Sequence, residues 1–394
     1  MRSRKNHELL FNVFLFSIAI FLFALAQGII TAVYPSYLES FVQKAYIVGV
    51  FASIVYIVQL PISAPVGALS DIFGRKKLLI GSLTSFALVE VFYYLNENLI
   101  FLTLLQLVIG VLMITIFVTA EAFIRDVSPP EMRGRVRSFY GTWITAGYLF
   151  GPIVGGWIGD NYSIRLPFLV SAILILSSLL FLIDVKDGDR VLVPDKPMKK
   201  KISFIKPLKR FLSLGGGVRY LSINAIVLYF WYATKWIYGP LYLLYLGFDL
   251  NIVGLWLAAS LLPLIIFQIP AGMFGDRIGK DRVILFGVVI SAIFIAPLGF
   301  ISNLNGLIFM ILLISSGSAM IEPLINARIT DIIPKENYGE YSGAFEAAKI
   351  IGCVTGPILT GFIVELAGFE YAFFPSAILF LVLLLPSVKR WKKG

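Results

Sequence analysis

The sequence predicts an all-α integral membrane protein of twelve transmembrane helices, arranged as two pseudo-symmetric six-helix bundles. Three observations predict it. The 394 residues are 58% hydrophobic and 14% charged, with a mean hydropathy of +0.88, whereas soluble domains run at about 45–50% apolar and about 25% charged. Apolar runs of the roughly 20 residues needed to cross a bilayer recur twelve times. The basic residues fall almost entirely on one side of those runs.

The first run, 11–34, follows a short charged tail and is too long for a signal-peptide core. Runs at 46–69 and 78–95 flank the basic cluster Arg75-Lys76-Lys77, and those at 99–124 and 137–159 flank a second basic loop. The sixth, 164–184, closes a first bundle, residues 1–184. Residues 185–218 form the longest polar stretch, with Lys199-Lys200-Lys201, Lys209-Arg210 and Gly215-Gly216-Gly217. That composition predicts a solvated linker, with a regulatory or anionic-lipid contact as the alternative. Six more runs, 219–245, 251–272, 283–302, 305–327, 342–364 and 370–388, fill a second bundle, residues 219–394.

With both termini cytoplasmic, 29 of the 33 Lys and Arg lie in the termini and inner loops. Only Lys44 and Arg165 lie in outer loops, and Lys235 and Lys349 fall inside spans. Such a split is a strong positive-inside signal. The net charge of +10 therefore records topology and does not indicate a nucleic-acid partner. One histidine, His7, and one cysteine, Cys353, are too few for a His/Cys metal site, a disulfide framework or a Cys–His pair. A Ser–His–Asp triad would have to recruit His7 from the charged tail. No cofactor, no metal and no enzymatic activity are expected.

Shifting the chain by 205 residues aligns its halves without a gap over five spans. Pro35 meets Pro240, Tyr37 meets Tyr242, Gly49 meets Gly254, and Pro65 meets Pro270. Asp126, Pro129, Glu131 and Gly134 meet Asp331, Pro334, Glu336 and Gly339. Each half has an even number of spans, so the repeats are parallel and related by an axis along the membrane normal.

Two motifs ride on this repeat. Gly67-x-x-x-Asp71-x-x-Gly74-Arg75 follows span two, and Gly272-x-x-x-Asp276-x-x-Gly279-Lys280 follows span eight. Small residues at 67 and 272 permit close helix approach, and glycines at 74 and 279 permit the positive φ of a tight turn. This duplicated loop resembles the signature of the major facilitator superfamily. Span five carries Gly147-x-x-x-Gly151-Pro152-x-x-Gly155-Gly156, echoed in span eleven by Gly352, Gly356, Pro357, Thr360 and Gly361. It resembles the motif of the drug–proton antiporter branch. The resemblance covers essentially the whole chain and implies the major facilitator fold, with transport by alternating access. It implies a cytoplasmic gate built from Asp71 with Arg75, Arg125 and Arg133, and from Asp276 with Lys280 and Arg328. A solvated loop is the alternative. For the glycine motif the readings are close packing with a bend, and a seal against leak. The branch's arginine and glutamine in span four are replaced here by Gln106 and Ile109, which departs from its usual proton relay.

Ionisable groups inside spans are costly and mark functional sites. Glu90, Glu121 and Glu322 are the proton-coupling candidates. By the family analogy, spans 1, 4, 7 and 10 line a cavity, which nominates Gln27, Gln106, Tyr229, Trp231, Tyr232, Lys235, Glu322 and Asn326 for substrate. An aromatic run beside a few polar groups suits amphipathic ligands, although interfacial aromatics are the competing explanation. Glu346 and Lys349 are spaced to pair with each other. The expectation is a monomeric, multi-pass transporter of the cell membrane that exports small amphipathic or drug-like compounds against protons. The alternatives are a sugar or organic-anion carrier with Lys235 as the anion contact and, remotely, a membrane-embedded lipid-modifying enzyme.

Overall fold

A computed structural model of the chain describes residues 2–42, 44–129, 132–185, 205–334 and 338–391. Fourteen α-helices follow in order. They are α1 (Arg2–Glu39), α2 (Ala45–Phe73), α3 (Arg75–Leu95), α4 (Leu99–Val127), α5 (Arg133–Asn161), α6 (Leu166–Ile183) and α7 (Ile205–Ser213). Then come α8 (Gly216–Tyr245), α9 (Leu250–Ala259), α10 (Leu262–Ile278), α11 (Lys280–Leu298), α12 (Leu304–Ile332), α13 (Tyr338–Ala367) and α14 (Phe374–Trp391). No strand occurs among the described residues. In a bilayer every backbone N–H and C=O must be satisfied internally, and a helix does this within one segment.

The twelve apolar runs become α1 to α6, α8, the pair α9–α10, and α11 to α14. Ten of these are long and apolar enough by composition to span a membrane. The other two, α5 and α8, are equally long at 29 and 30 residues. Glycines and Arg133, Arg135 and Arg137 dilute the apolarity of α5, and tyrosines, tryptophans and Lys235 dilute that of α8. The eighth run is not one helix. It breaks at Ser260–Leu261 because Pro263, in the first turn of α10, has no N–H to continue the ladder from α9. Part of the expected solvated linker is ordered as α7, and residues 186–204 of it lie outside the described residues.

The repeat reappears in local geometry. Asn98 caps α4, its Oδ1 accepting from the N–H groups of Ile100 and Phe101 at 2.9 and 3.2 Å. Its counterpart Asn303 caps α12 by accepting from Gly306 at 2.7 Å. Such caps satisfy N–H groups that a helix start leaves free. Gly74 and Gly279 join their helices with φ of 93° and 99°, a region closed to most residues with a Cβ.

Contacts divide the chain into two compact units. One comprises Met1–Val33 and Val58–Ile202, the other Tyr34–Ile57 and Ser203–Gly394. In the first, Phe16 stacks on Phe123 at 4.2 Å and Phe23 meets Phe86 edge-on at 5.5 Å. In the second, the start of α2 is held on α8 and α13. Tyr238 Oη lies 2.9 Å from the carbonyl of Ala45 and 3.1 Å from that of Pro357, so its single proton is shared between them. Glu365 accepts from the Ala45 N–H at 3.1 Å, and Ser53 Oγ donates to Val354 O. A Cβ on Gly49 would strike the Pro357 carbonyl, so only glycine allows this approach.

Candidate functional site

In the second unit, α8, α12 and α13 carry four of the six ionisable groups that sequence places inside spans, namely Lys235, Glu322, Glu346 and Lys349. Tyr229 and Tyr232 sit three residues apart on one face of α8 and both donate to Glu322 of α12. Tyr229 Oη reaches Oε1 and Tyr232 Oη reaches Oε2, each at 2.9 Å. One carboxylate thus takes two hydroxyl donors, one per oxygen. Hydrogen bonds to a charged group contribute about 1.5–3 kcal/mol each, so this arrangement fixes both rings. They meet edge-on at 5.4 Å.

One turn further along α8, Lys235 is buried to 1% exposure. Its Nζ donates to Ser260 Oγ at 3.0 Å, and Ser260 in turn donates to Leu257 O. The break between α9 and α10 is what places that hydroxyl there. Lys235 also lies over the rings of Tyr232 and Trp236 at 5.3 and 4.7 Å, within the range of favourable cation–π contact. Among the described residues it has no carboxylate within ion-pair distance. Lys349 of α13 does, pairing with Glu346 at 2.6 Å, and lies 5.5 Å over the Tyr229 ring. Asn326, half-buried, follows Glu322 by one turn of α12.

Three nominated cavity residues lie outside this cluster. Trp231 is fully buried against Phe373 at 6.0 Å. One residue of helix turns the side chain about 100°, so it cannot share the face of Tyr229 and Tyr232. Gln106 is buried in the first unit, accepting from Tyr93 Oη at 2.8 Å, and so ties α4 to α3. Gln27 lies beside Glu90, also in the first unit and 2% exposed. The Gln27 side chain is close enough to act on the Glu90 carboxyl, although the pair does not reach standard hydrogen-bond geometry. Glu121 is exposed at the end of α4, 3.5 Å from Arg137 of α5, a surface pair of the loop network.

The loop motifs form ion pairs, some with partners beyond those expected. Arg75 pairs with Asp126, and Lys280 with Asp331 at 2.6 Å. These are the same positions, 205 residues apart, and each ties the start of one helix to the end of the next. Arg328 pairs at 3.7 Å with Asp281 rather than Asp276. Asp276 and Arg133 are exposed and make no ion pair among the described residues. Among the described residues Arg125 reaches its neighbour Asp126, at 3.8 Å. The surroundings of Gly67 and the side chain of Asp71 lie outside what the structure describes. Asp126 and Asp331 are thus the partners that sequence reasoning missed. Their alignment at the repeat offset was the signal that pointed to them.

The glycine motif is a crossing of helices. A Cβ on Gly151 would lie 2.5 Å from the Gly28 Cα, and one on Gly155 would strike the Ile29 carbonyl, both on α1. In the other half, a Cβ on Gly356 would lie 2.6 Å from Phe230 O of α8. At the position of Gly155 stands Thr360, whose hydroxyl meets that of Thr234 at 3.0 Å.

The family model of the Major Facilitator Superfamily matches residues 16–234 and 221–393. The chain belongs to the major facilitator superfamily. Its relatives include the multidrug resistance protein MdtG of Proteus mirabilis, 28% identical over 343 residues, covering 84% of this chain and 83% of the relative. The class H tetracycline resistance protein of Pasteurella multocida is 25% identical, covering 86% of each. Among solved structures, the nucleoside transporter NupG superposes with a TM-score of 0.75 at 15% identity, covering 97% of this chain and 99% of that one. A bacterial homologue of the human lysosomal transporter Spinster, inward-facing and unoccupied, gives 0.77 at 15% identity, covering 99% and 97%. These superpositions support the twelve-helix fold.

Proposed function

We propose that this superfamily member is a secondary active transporter that exports small amphipathic, drug-like compounds in exchange for protons. Two six-helix bundles, residues 1–184 and 219–394, alternate access to a central site, and residues 185–218 link them. The chain acts as a monomer in the cell membrane with both termini cytoplasmic. The observation that carries the reading is Glu322 held between Tyr229 and Tyr232, an acid in an aromatic setting inside a span. Relatives named for multidrug and tetracycline resistance support it.

The chemistry is an exchange at one carboxylate. Ionised, Glu322 accepts from both tyrosines. A proton turns one oxygen into a donor and a poorer acceptor, which loosens one ring. A compound with an apolar body and a positive group takes the proton's place beside the carboxylate and stacks on the aromatic faces around it. Glu90 is the second candidate carrier, since no cation contacts it among the described residues.

The test is transport in proteoliposomes under an imposed pH gradient, with a panel of lipophilic dyes and drugs. Uptake that follows the gradient and collapses with a protonophore supports the reading. Absence of any gradient-driven movement across the panel contradicts it.

A second reading rests on Lys235, buried against a hydroxyl and two ring faces with no ion-pair partner among the described residues. A buried cation held by a hydroxyl suits the anionic group of an organic acid. Under that reading Lys235→Gln weakens an anion strongly and a neutral drug little.

A further inference from the structure

A groove of about 330 Å³ opens on the first unit, where the start of α3 meets the end of α2 and the middle of α4. Phe73, Lys77, Leu78, Gly81, Ser85 and Leu112 line it. Gly81 faces this open space, since a Cβ built on it meets nothing within 4 Å. One end is cationic and the rest mainly apolar.

The three basic residues of the α3 start are differently engaged. Arg75 binds Asp126. Lys76 donates to the carbonyls of Ile183 and Val185 at 2.7 and 2.8 Å, closing the end of α6. Lys77 is exposed and makes no ion pair or hydrogen bond among the described residues. It also begins a stripe of exposed residues on one face of α3, namely Gly81, Ser85, Leu88, Phe92 and Leu95. From 77 to 95 a helix rises about 27 Å, close to the roughly 30 Å of a bilayer core. Lys77 therefore stands at one boundary of the apolar band, with the groove running inward from it.

We propose that this groove binds an anionic glycerophospholipid, its phosphate at Lys77 and one acyl chain laid over Gly81 between Phe73 and Leu112. Charge complementarity selects the headgroup. The continuous apolar stripe requires an occupant with a chain, which a free phosphate lacks. A bound lipid there bridges α3 and α4, beside the Arg75–Asp126 pair.

The test uses the full chain, purified in detergent and stripped of lipid, with its melting temperature as readout. Phosphatidylglycerol is expected to raise the melting temperature, while phosphatidylcholine and inorganic phosphate leave it unchanged. Lys77→Gln and Gly81→Leu lose most of that rise, and Lys77→Arg keeps it. A variant with Lys199, Lys200 and Lys201 all changed to Gln also keeps it. The proposal is overturned if Lys77→Gln responds like the unaltered protein, if phosphatidylcholine or inorganic phosphate matches phosphatidylglycerol, or if the rise disappears with the linker lysines instead.

Discussion

The crossing of α1 with α5 and the crossing of α8 with α13 occupy equivalent positions of the two repeats, yet they are built differently. At the first, Gly28, Gly151 and Gly155 bring bare backbone together. At the second, Gly352 and Gly356 keep the close approach to α8, while Thr234 and Thr360 replace Ile29 and Gly155 with a hydroxyl contact. The same contrast holds one turn away. Position 27 of the first repeat is Gln27, beside Glu90. Its equivalent in the second is Tyr232, bound to Glu322. The glycine register, the helix caps and the loop ion pair are shared. The tyrosine-bound acid, the buried lysine and the helix break beneath it belong to the second repeat alone. Duplication has kept the scaffold in both halves, and the proposed exchange site lies in one.

That contrast can be broken most sharply at the acids. Glu322→Gln is expected to abolish the response of transport to a pH gradient, while Glu90→Gln retains most of it. The reverse result in proteoliposome flux would move the coupling group to the first repeat.

The next largest effect is on stability. Gly155→Ala forces a methyl into the Ile29 carbonyl, and overpacking of this kind costs roughly 1–3 kcal/mol. Thr360→Val leaves the Thr234 hydroxyl without its partner, a loss of about 0.6 kcal/mol for a hydrogen bond in a membrane protein. Thermal unfolding of the two variants in detergent should rank them in that order. A larger loss for Thr360→Val would mean that the hydroxyl contact, not close packing, secures the crossing.

The loop pairs should be similar in the two repeats. Asp126 is 40% and Asp331 47% exposed, so solvent screens both, and exposed pairs contribute roughly 0.2–1 kcal/mol. Double-mutant cycles on Arg75 with Asp126 and on Lys280 with Asp331 should give couplings in that range. A coupling several times greater in one repeat would show that the loops, too, have diverged.

Much of this architecture is written in the sequence, because a bilayer demands long apolar helices and a repeat shows itself as a fixed offset. The positive-φ glycines and the crowded glycines of α5 were legible for the same reason, since each answers a local steric demand. Side-chain partners were harder. Asp71 and Asp276 stand next to the basic residues in sequence, but Asp126 and Asp331 reach them through the packing of neighbouring helices. Trp231 and Tyr232 are adjacent in sequence and on different faces of α8, so an aromatic run alone does not say which rings meet a ligand. The break at Ser260 required weighing Pro263 against a strongly apolar run, and hydropathy averages hide that conflict.

The most direct test of the central claim is proton release on ligand binding. Purified protein in weakly buffered detergent, mixed with a transported cationic drug, should release protons to a pH-sensitive dye. Glu322→Gln should release almost none, and Glu90→Gln should release as much as the unaltered protein. Undiminished release from Glu322→Gln would contradict the assignment of the exchange to the α8–α12 site.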